Sequence, residues 1–268
     1  MILSKRSSPP RLSNLFNNCS ANCIIQILFN DPECWSMITK LNDNDPFKKL
    51  AIRFNKITNG NRAINLIDLY DIFNPIIDVK NEEKALHPDE NIQNIRIDPL
   101  HIFEKILNEY SFIKEYFRNT DDYVNYTQVI SISDDSKSVQ NGLNLRIDEN
   151  LDEFTIAPNC MCIHIVRTIF DNHIITRNNQ IRSQISNKLI EPNKYIHYSP
   201  IDTDIDQYYV FYAMILHHNN NANSGHFEVL LFIDDQFYQC NDAHVTQYLK
   251  NEISDATLKK KSYLFFYK

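Results

Sequence analysis

The sequence predicts an α+β fold with a helical first half and a strand-rich second half. Two observations carry this. Up to about residue 117, apolar side chains recur at the three- and four-residue spacing of amphipathic helices, and clusters of Asn, Asp, Gly and Pro separate the runs. From residue 129 onward, short runs of Val, Ile, Tyr and Phe take over, with polar turns between them. Helices followed by strands, instead of alternating with them, imply an α+β architecture in two lobes, and a cleft between lobes is the natural place for a site.

Taken in order, residues 1–11 are polar, contain Pro9-Pro10, and read as a flexible lead-in to one catalytic domain over 12–268. That domain is expected to be mainly helical over 12–123 and β-rich over 124–268. Ser20 to Phe29 reads as a helix from Ile24, Ile25, Ile27 and Leu28, with Asp31-Pro32 as its stop. Residues 46–58, 64–73 and 99–117 carry further helical patterns, separated by breaks at 42–46, 58–62 and 74–98. Strands are predicted at Val129–Ser133, Leu143–Ile147, Cys160–Val166, Tyr208–Leu216, Phe227–Ile233, Gln236–Cys240 and Tyr263–Tyr267. Asp134–Gly142 and Asn219–Ser224 read as polar loops, with Gly142 a turn glycine.

Composition narrows the function. A chain of 268 residues, 43% hydrophobic and 23% charged, has the make-up of a soluble protein with a sizeable core. No apolar run of membrane-spanning length and no signal-peptide h-region occur, so an intracellular protein with no membrane partner is expected. Six cysteines are too sparse for a disulfide scaffold, and the absence of any C-x-x-C pair argues against a zinc ribbon. A net charge of −7 argues against nucleic acid as a partner. The three glycines, Gly60, Gly142 and Gly225, fit neither of the phosphate-cradling loop patterns. No cofactor or metal is expected, and the chain is read as a monomer.

The chemistry-bearing residues begin with Cys19, at the start of the helix predicted over 20–29. A thiolate there gains from the helix dipole and free backbone N–H groups, although most lone cysteines are small buried hydrophobes. His226 follows Gly225 and opens the first strand of a hairpin whose turn is Asp234-Asp235. Hairpin pairing is expected to bring Asn241 or Asp242 beside His226, and a side-chain acceptor on an imidazole N–H fixes its tautomer. A single histidine in a hairpin is more commonly structural. Asn14, five residues before Cys19, is a candidate oxyanion donor beside the Cys19 N–H. Cys160, Cys162, His217 and His218 form a rival metal set, but two cysteines two apart on a strand are unusual for structural zinc. His164, mid-strand between Ile163 and Ile165, reads as structural.

These signals join in a resemblance. Leu12, Asn14, Leu15, Asn17, Cys19, Asn22, Gln26 and Leu28 match in register the cysteine box of the ubiquitin-specific protease family, G-L-x-N-L-G-N-T-C-Y-x-N-x-x-L-Q-x-L. Its histidine box, Y-x-L-x-A-V-x-x-H…G-H-Y, resembles Tyr209, Ala213, His217, Gly225 and His226, with Phe211, Met214 and Phe227 as near substitutes. Phe237, Tyr238, Asn241, Asp242 and Val245 resemble the F/W-Y-x-F-D/N-D-x-x-V pattern, and Tyr263 to Tyr267 the closing A-Y-x-L-F-Y strand. Pro158 and Ile163 to Arg167 resemble P-x-x-L-x-I-x-L-K-R-F. Five motifs occur in order from residue 12 to the end.

The resemblance implies a papain-like cysteine protease fold with a helical thumb, a β-rich palm and reduced fingers, the last at 124–150. It implies cleavage after the C-terminal glycine of ubiquitin on conjugates, with Cys19 as nucleophile, His226 as base, Asn241 as the orienting residue, Asn14 as oxyanion donor and Asp242 as an assisting neighbour. Asp98, His217, Gly225 and Phe227 stand where the family meets its substrate. The departures are Arg11 and Phe16 for glycines, Asn18 for Thr, Ser20 for Tyr, a Q-Q-D-A-x-E-F segment matched firmly only by Asp98, and no zinc-binding C-x-x-C pairs. An isopeptidase for another ubiquitin-like modifier and an inactive ubiquitin-binding relative are the alternatives. Size and composition fit a compact, diverged member, of the kind a virus or parasite would direct at host conjugates.

Overall fold

A computed structural model describes residues 8–15, 17–56, 62–89, 91, 97–118, 129–149, 155–175, 181–186, 188–200, 206–218, 225–248 and 256–268. Its first half carries helices α1 (Cys19–Asn30), α2 (Pro32–Ile38), α3 (Pro46–Phe54), α4 (Ile67–Tyr70), α5 (Asn74–Leu86), α6 (Pro99–Glu109) and α7 (Ser111–Tyr116). Then follow β1 (Val129–Ser133), α8 (Val139–Glu149), β2 (Met161–Val166), β3 (Thr168–Ile175), β4 (Ile181–Ile185) and β5 (Tyr195–Tyr198). The chain closes with β6 (Gln207–His218), β7 (His226–Ile233), β8 (Gln236–Asn241), β9 (His244–Tyr248), α9 (Ala256–Lys261) and β10 (Ser262–Tyr267). It divides into two compact units, the first Met1–Lys114 with Phe227–Leu249, the second Glu115–His226 with Lys250–Lys268. The ribbon 227–249 lies in the β-rich part of the sequence and is grouped with the helices of the first unit.

In the first unit every residue of α1 from Cys19 to Phe29 is buried. A helix buried all round is a central element. Phe29 anchors an aromatic core, with ring centroids 5.2 Å from Phe54, 5.5 Å from Phe47 and 6.2 Å from Trp35. Phe47 extends it to Phe73 at 5.1 Å and Tyr110 at 4.8 Å. Asp-Pro pairs start three of these helices. Asp31, Asp45 and Asp98 each accept a hydrogen bond from a backbone N–H two residues on, at 2.9, 2.8 and 2.8 Å, with Pro32, Pro46 and Pro99 at the first helical position. A proline there lacks only an N–H that would have no helical partner anyway.

That device explains the helical errors of the sequence reading. Asp31-Pro32 stops α1 and also starts α2, which the sequence did not reveal. The break expected over 74–98 contains α5, entered through Asn74-Pro75. The helix expected over 64–73 shrinks to α4, and that over 99–117 divides at Tyr110 into α6 and α7.

In the second unit β1 pairs parallel with β2, and β10 pairs antiparallel with β2 on one side and β6 on the other. β5 pairs with the start of β6, and β3 with β4 forms a separate two-stranded ribbon. The expected fingers hairpin at 124–150 is not found in its described part. A parallel β1–β2 pair needs a crossover, and α8 lies on it. Leu143–Ile147, expected as a strand, lies within α8. The alternation of Leu143, Leu145 and Ile147 imitates a strand, but Leu145 is 49% exposed while Val139, Gly142 and Leu143 are buried at helical spacing. Gly142 is thus no turn glycine. A Cβ on it would lie 2.7 Å from Ile132 Cδ1 and 2.8 Å from Ser136 Oγ, so it lets α8 approach β1 closely. β3, β4, β5 and β9 are further strands that the sequence reading did not find.

Part of the expected lead-in is held in place. Pro9 is buried, the Pro10 carbonyl accepts from Gln26 Nε2 at 2.6 Å, and the Arg11 carbonyl from Ile64 N–H at 2.7 Å. Residues 1–7, Phe16 and the loop 219–224 lie outside the described residues.

Candidate active site

Cys19 is the first residue of α1 and is 8% exposed. The thiol thus sits in the first turn of a 12-residue helix, a turn that carries no acidic residue. The chain enters the helix through a closed loop. Asn18 N–H donates to Asn14 Oδ1 at 2.8 Å, and Asn18 Nδ2 donates to the Leu15 carbonyl at 2.6 Å. Asn17 takes a left-handed φ of 58°, which asparagine tolerates better than most residues. With Oδ1 of Asn14 tied to Asn18, its Nδ2 points the other way, as a donor.

The ribbon of β7, β8 and β9 supplies the next group. Asp234 and Asp235 form a two-residue turn with φ of 48° and 61°, the twist that suits a tight hairpin. The register pairs Val229 with Cys240. Continued outward, it sets Asn241 across from Glu228 and Asp242 across from Phe227. The hairpin expectation that Asn241 or Asp242 faces His226 is therefore offset along the strand, because the turn is symmetric and the two strands are unequal in length.

Asp242 follows with a left-handed φ of 50° in the tight turn to β9. Its side chain is pinned from the cysteine segment. Asn22 Nδ2 donates to Asp242 Oδ1 at 2.8 Å and also reaches the Ser13 carbonyl at 3.2 Å, while Leu12 N–H donates to the Asp242 carbonyl at 3.1 Å. Tyr70 Oη–H donates to Asn22 Oδ1 at 2.8 Å. Leu12, Asn22, Cys23, Gln26, Val229, Cys240 and Asp242 close around this joint.

Two further thiols line it. Burial pushes the Cys23 thiol well up, and the nearby Cys19, Asp242, Cys240 and Glu228 push it further. Burial, then Glu228, does the same to Cys240. Both stay protonated and unreactive. Cys160 and Cys162 are buried on or beside β2, and among the described residues no group of three His, Cys, Asp or Glu is arranged to hold a metal ion.

His226 is half-buried and opens β7, the last residue of the second unit before Phe227. Gly225 precedes it, and the His217 ring occupies the space a side chain would need. A Cβ on Gly225 would lie 2.2 Å from His217 Nε2. The His218 ring lies 6.4 Å from that of His226, and its Nδ1 is 2.8 Å from Lys261 Nζ.

The first unit thus holds Asn14, Cys19, Asn241 and Asp242, and the second holds His217, Gly225 and His226. Asp98, expected at the substrate, is the N-cap of α6, with Oδ1 held by Leu100 N–H. Phe227 is half-buried. Tyr70 and the joining role of Asn22 were missed by the sequence reading. Asn22 and Gln26, polar among the apolar side chains of a buried helix, were the available signal, since buried polar groups require partners.

The family profile described as ubiquitin carboxyl-terminal hydrolase matches residues 101–267. That span holds the His226 region and the β7–β9 ribbon, and the Cys19 segment lies ahead of it. Among solved structures, the chain is similar to the SAGA DUB module Ubp8/Sgf11/Sus1/Sgf73, with a cysteine-to-alanine Ubp8, bound to monoubiquitin. That match has 14% identity and a TM-score of 0.65, and covers 100% of this chain and 71% of that one. It is similar also to the same module bound to ubiquitin aldehyde, at 14% identity and TM-score 0.63, covering 97% and 69%. A yeast SAGA DUB module with a variant Sgf73 matches at 16% identity and TM-score 0.61, covering 100% and 68%. No curated protein matches the chain. The fold is the papain-like one of these structures.

Proposed function

The chain belongs to the ubiquitin carboxyl-terminal hydrolase family and is a thiol-dependent deubiquitinase, and from that premise we propose that Cys19 is its nucleophile, His226 its general base and Asn14 its oxyanion donor. Asn241 orients His226, and Asp242 assists. The observation that carries this reading is the position of Cys19 at the buried N-terminus of α1, with Asn14 locked four residues before Asn18 in the loop that leads to it. For Asn241, the support is its family pattern and its register with Glu228. Glu228 and His226 are two apart on β7 and so on one face of the strand.

In this mechanism the Cys19 thiolate attacks the carbonyl carbon of the terminal glycine of ubiquitin, and Asn14 Nδ2 with the Cys19 N–H holds the oxyanion. As the intermediate collapses, the C–N bond breaks and imidazolium His226 protonates the departing lysine amine. The acyl group remains on sulfur as a thioester. His226 then takes a proton from water, the hydroxide attacks the thioester, and the ubiquitin carboxylate leaves as the thiol reforms. His217 and Phe227, close in sequence to His226, are the substrate-facing residues in this reading, and Gly225 keeps His217 seated. Among the described residues no helix is long and apolar enough to cross a membrane. Six free cysteines suit a reducing, intracellular setting, and the enzyme is read as a monomer.

Covalent labelling with ubiquitin carrying a C-terminal electrophile tests the reading. Wild type is expected to gain one ubiquitin on Cys19, Cys19→Ala to gain none, and His226→Ala to lose turnover. Labelling of another cysteine overturns the nucleophile assignment, and labelling only by a different ubiquitin-like probe changes the substrate while keeping the chemistry. Asn14→Ala is expected to lower kcat by about 10²–10³, roughly 2.7–4 kcal/mol, and a near-normal kcat removes Asn14 from the oxyanion role.

A further inference from the structure

We propose that Tyr70 is a positioning residue of the active site: acting through Asn22, it anchors Asp242 and the tight turn that carries Asn241. The inference rests on the assignment of Asn241 and Asp242 given above.

The geometry allows one arrangement of donors. The Ser13 carbonyl and the Asp242 carboxylate only accept, and both face Asn22 Nδ2, at 3.2 and 2.8 Å. Asn22 must therefore turn its NH₂ toward them and its Oδ1 away. The group that meets Oδ1 is the Tyr70 hydroxyl at 2.8 Å, which must donate. Tyr70, at the end of α4, is 1% exposed, and burial with the nearby Asp242 and Cys23 raises its pKa well above the usual value, so the donor proton stays.

Without that hydroxyl, the two ends of the Asn22 amide differ little in shape. A flipped amide would set oxygen against the Asp242 carboxylate. The two acceptors set which way the amide faces, and Tyr70 satisfies its Oδ1 and so fixes Asn22 in the position from which it holds Asp242. Asp242 lies at a left-handed φ, between Asn241 and the start of β9, and the Asn241–His244 pair closes the turn. A turn held in an uncommon backbone conformation relies on such contacts to keep one geometry.

Tyr70→Phe removes the donor and keeps the ring. The test is hydrolysis of a ubiquitin C-terminal fluorogenic amide across the pH profile, with Asn22→Ala and the double variant alongside. Tyr70→Phe is expected to lower kcat roughly three- to tenfold, the range for one buried hydrogen bond, with KM unchanged. The alkaline limb is expected to move to lower pH, because a loosened Asn241 and Asp242 hold the His226 imidazolium less well. The double variant is expected to be little worse than Asn22→Ala, since both act through one path. A lower melting temperature with kcat and both pH limbs unchanged overturns the proposal, as do fully additive losses.

Amide hydrogen exchange at Asn241–His244 reports the anchoring without turnover. Faster exchange in Tyr70→Phe sustains the proposal, and unchanged exchange overturns it. If wild type neither turns over nor labels at Cys19, the catalytic reading fails, and the exchange result still decides whether Tyr70 anchors the turn. If Tyr70→Phe does not fold, Asn22→Ala carries the same readouts.

Discussion

Asn22 in the first unit and Arg167 in the second are both buried polar hubs that join segments far apart in sequence, and they do so with opposite chemistry. Asn22 is neutral and amphoteric. It ties α4, the loop before α1 and the turn after β8 through one donor end and one acceptor end. Arg167, 4% exposed, is all donor. Its guanidinium reaches the carbonyls of Ser262 at 2.6 Å, Lys188 at 2.7 Å, Lys259 at 2.8 Å and Ser186 at 3.3 Å, and Ser262 Oγ at 2.9 Å. A reversible amide can hold a group whose orientation matters, whereas a planar charged fork holds a crossing of backbone. The first hub serves the site, and the second serves the fold.

The strongest way to break that contrast is Arg167→Ala. It removes the donor to four carbonyls, those of Ser262 and Ser186 in buried bonds and those of Lys188 and Lys259 in part-buried ones, and each buried partner lost costs about 1–3 kcal/mol, so a loss of at least roughly 3 kcal/mol is expected. Urea unfolding measures it. The surviving folded fraction should keep the wild-type pH–rate profile. A shifted profile with little loss of stability would make Arg167 a site residue and erase the distinction.

The next largest effect concerns His164, three residues earlier in the same unit. Arg167 has carbonyls around its charge, whereas His164 meets Ser131 Oγ at 3.4 Å and the Tyr263 ring edge-on, with ring centroids 4.9 Å apart. Neither stabilises a cation strongly. Burial accordingly pushes the His164 pKa from 6.5 down to about 4. The folded imidazole stays neutral while the unfolded one protonates, so the unfolded state binds more protons between those values. Stability is therefore lost as pH falls from about 6.5 toward 4, by up to about 3 kcal/mol at roughly 1.4 kcal/mol per pH unit. Unfolding at neutral pH and at about pH 4.5 should show a smaller acid-side loss in His164→Gln than in wild type. Equal losses would assign the acid sensitivity to other groups.

What the sequence revealed follows the range of the interactions involved. Cys19 at a helix N-terminus and the hairpin around Asp234-Asp235 are local, and both were legible from a dozen residues. Asp45-Pro46 and Asp98-Pro99 were legible as helix starts, whereas Asp31-Pro32 was legible only as a stop, because the same proline serves both ends and only tertiary packing decides that a seven-residue α2 survives. α8 was misread because its apolar residues alternate and only burial separates the two periods. The Asn22–Asp242 contact spans 220 positions and the Arg167–Ser262 contact 95, and no local pattern encodes either. The Asn241 register was misjudged by unequal strand lengths, an error that pairing geometry corrects at once.

The smallest expected effect sharpens the comparison from outside. Arg53 and Asp68 form an ion pair at 2.6 Å in the first unit, joining α3 to α4 as firmly in distance as either hub. Its side chains are 35% and 57% exposed, however, and water competes for both charges. An exposed pair gains little Coulomb energy and orders two long side chains, so the coupling is expected at about 0.2–1 kcal/mol, and less in high salt. A double-mutant cycle of Arg53→Ala and Asp68→Ala, read by urea unfolding at low and high salt, measures it. A coupling as large as the Arg167 loss would mean that distance alone sets the strength of a polar contact here. A coupling within the expected range, fading with salt, would mean that it is burial with full satisfaction that separates Asn22 and Arg167 from a surface contact of the same length.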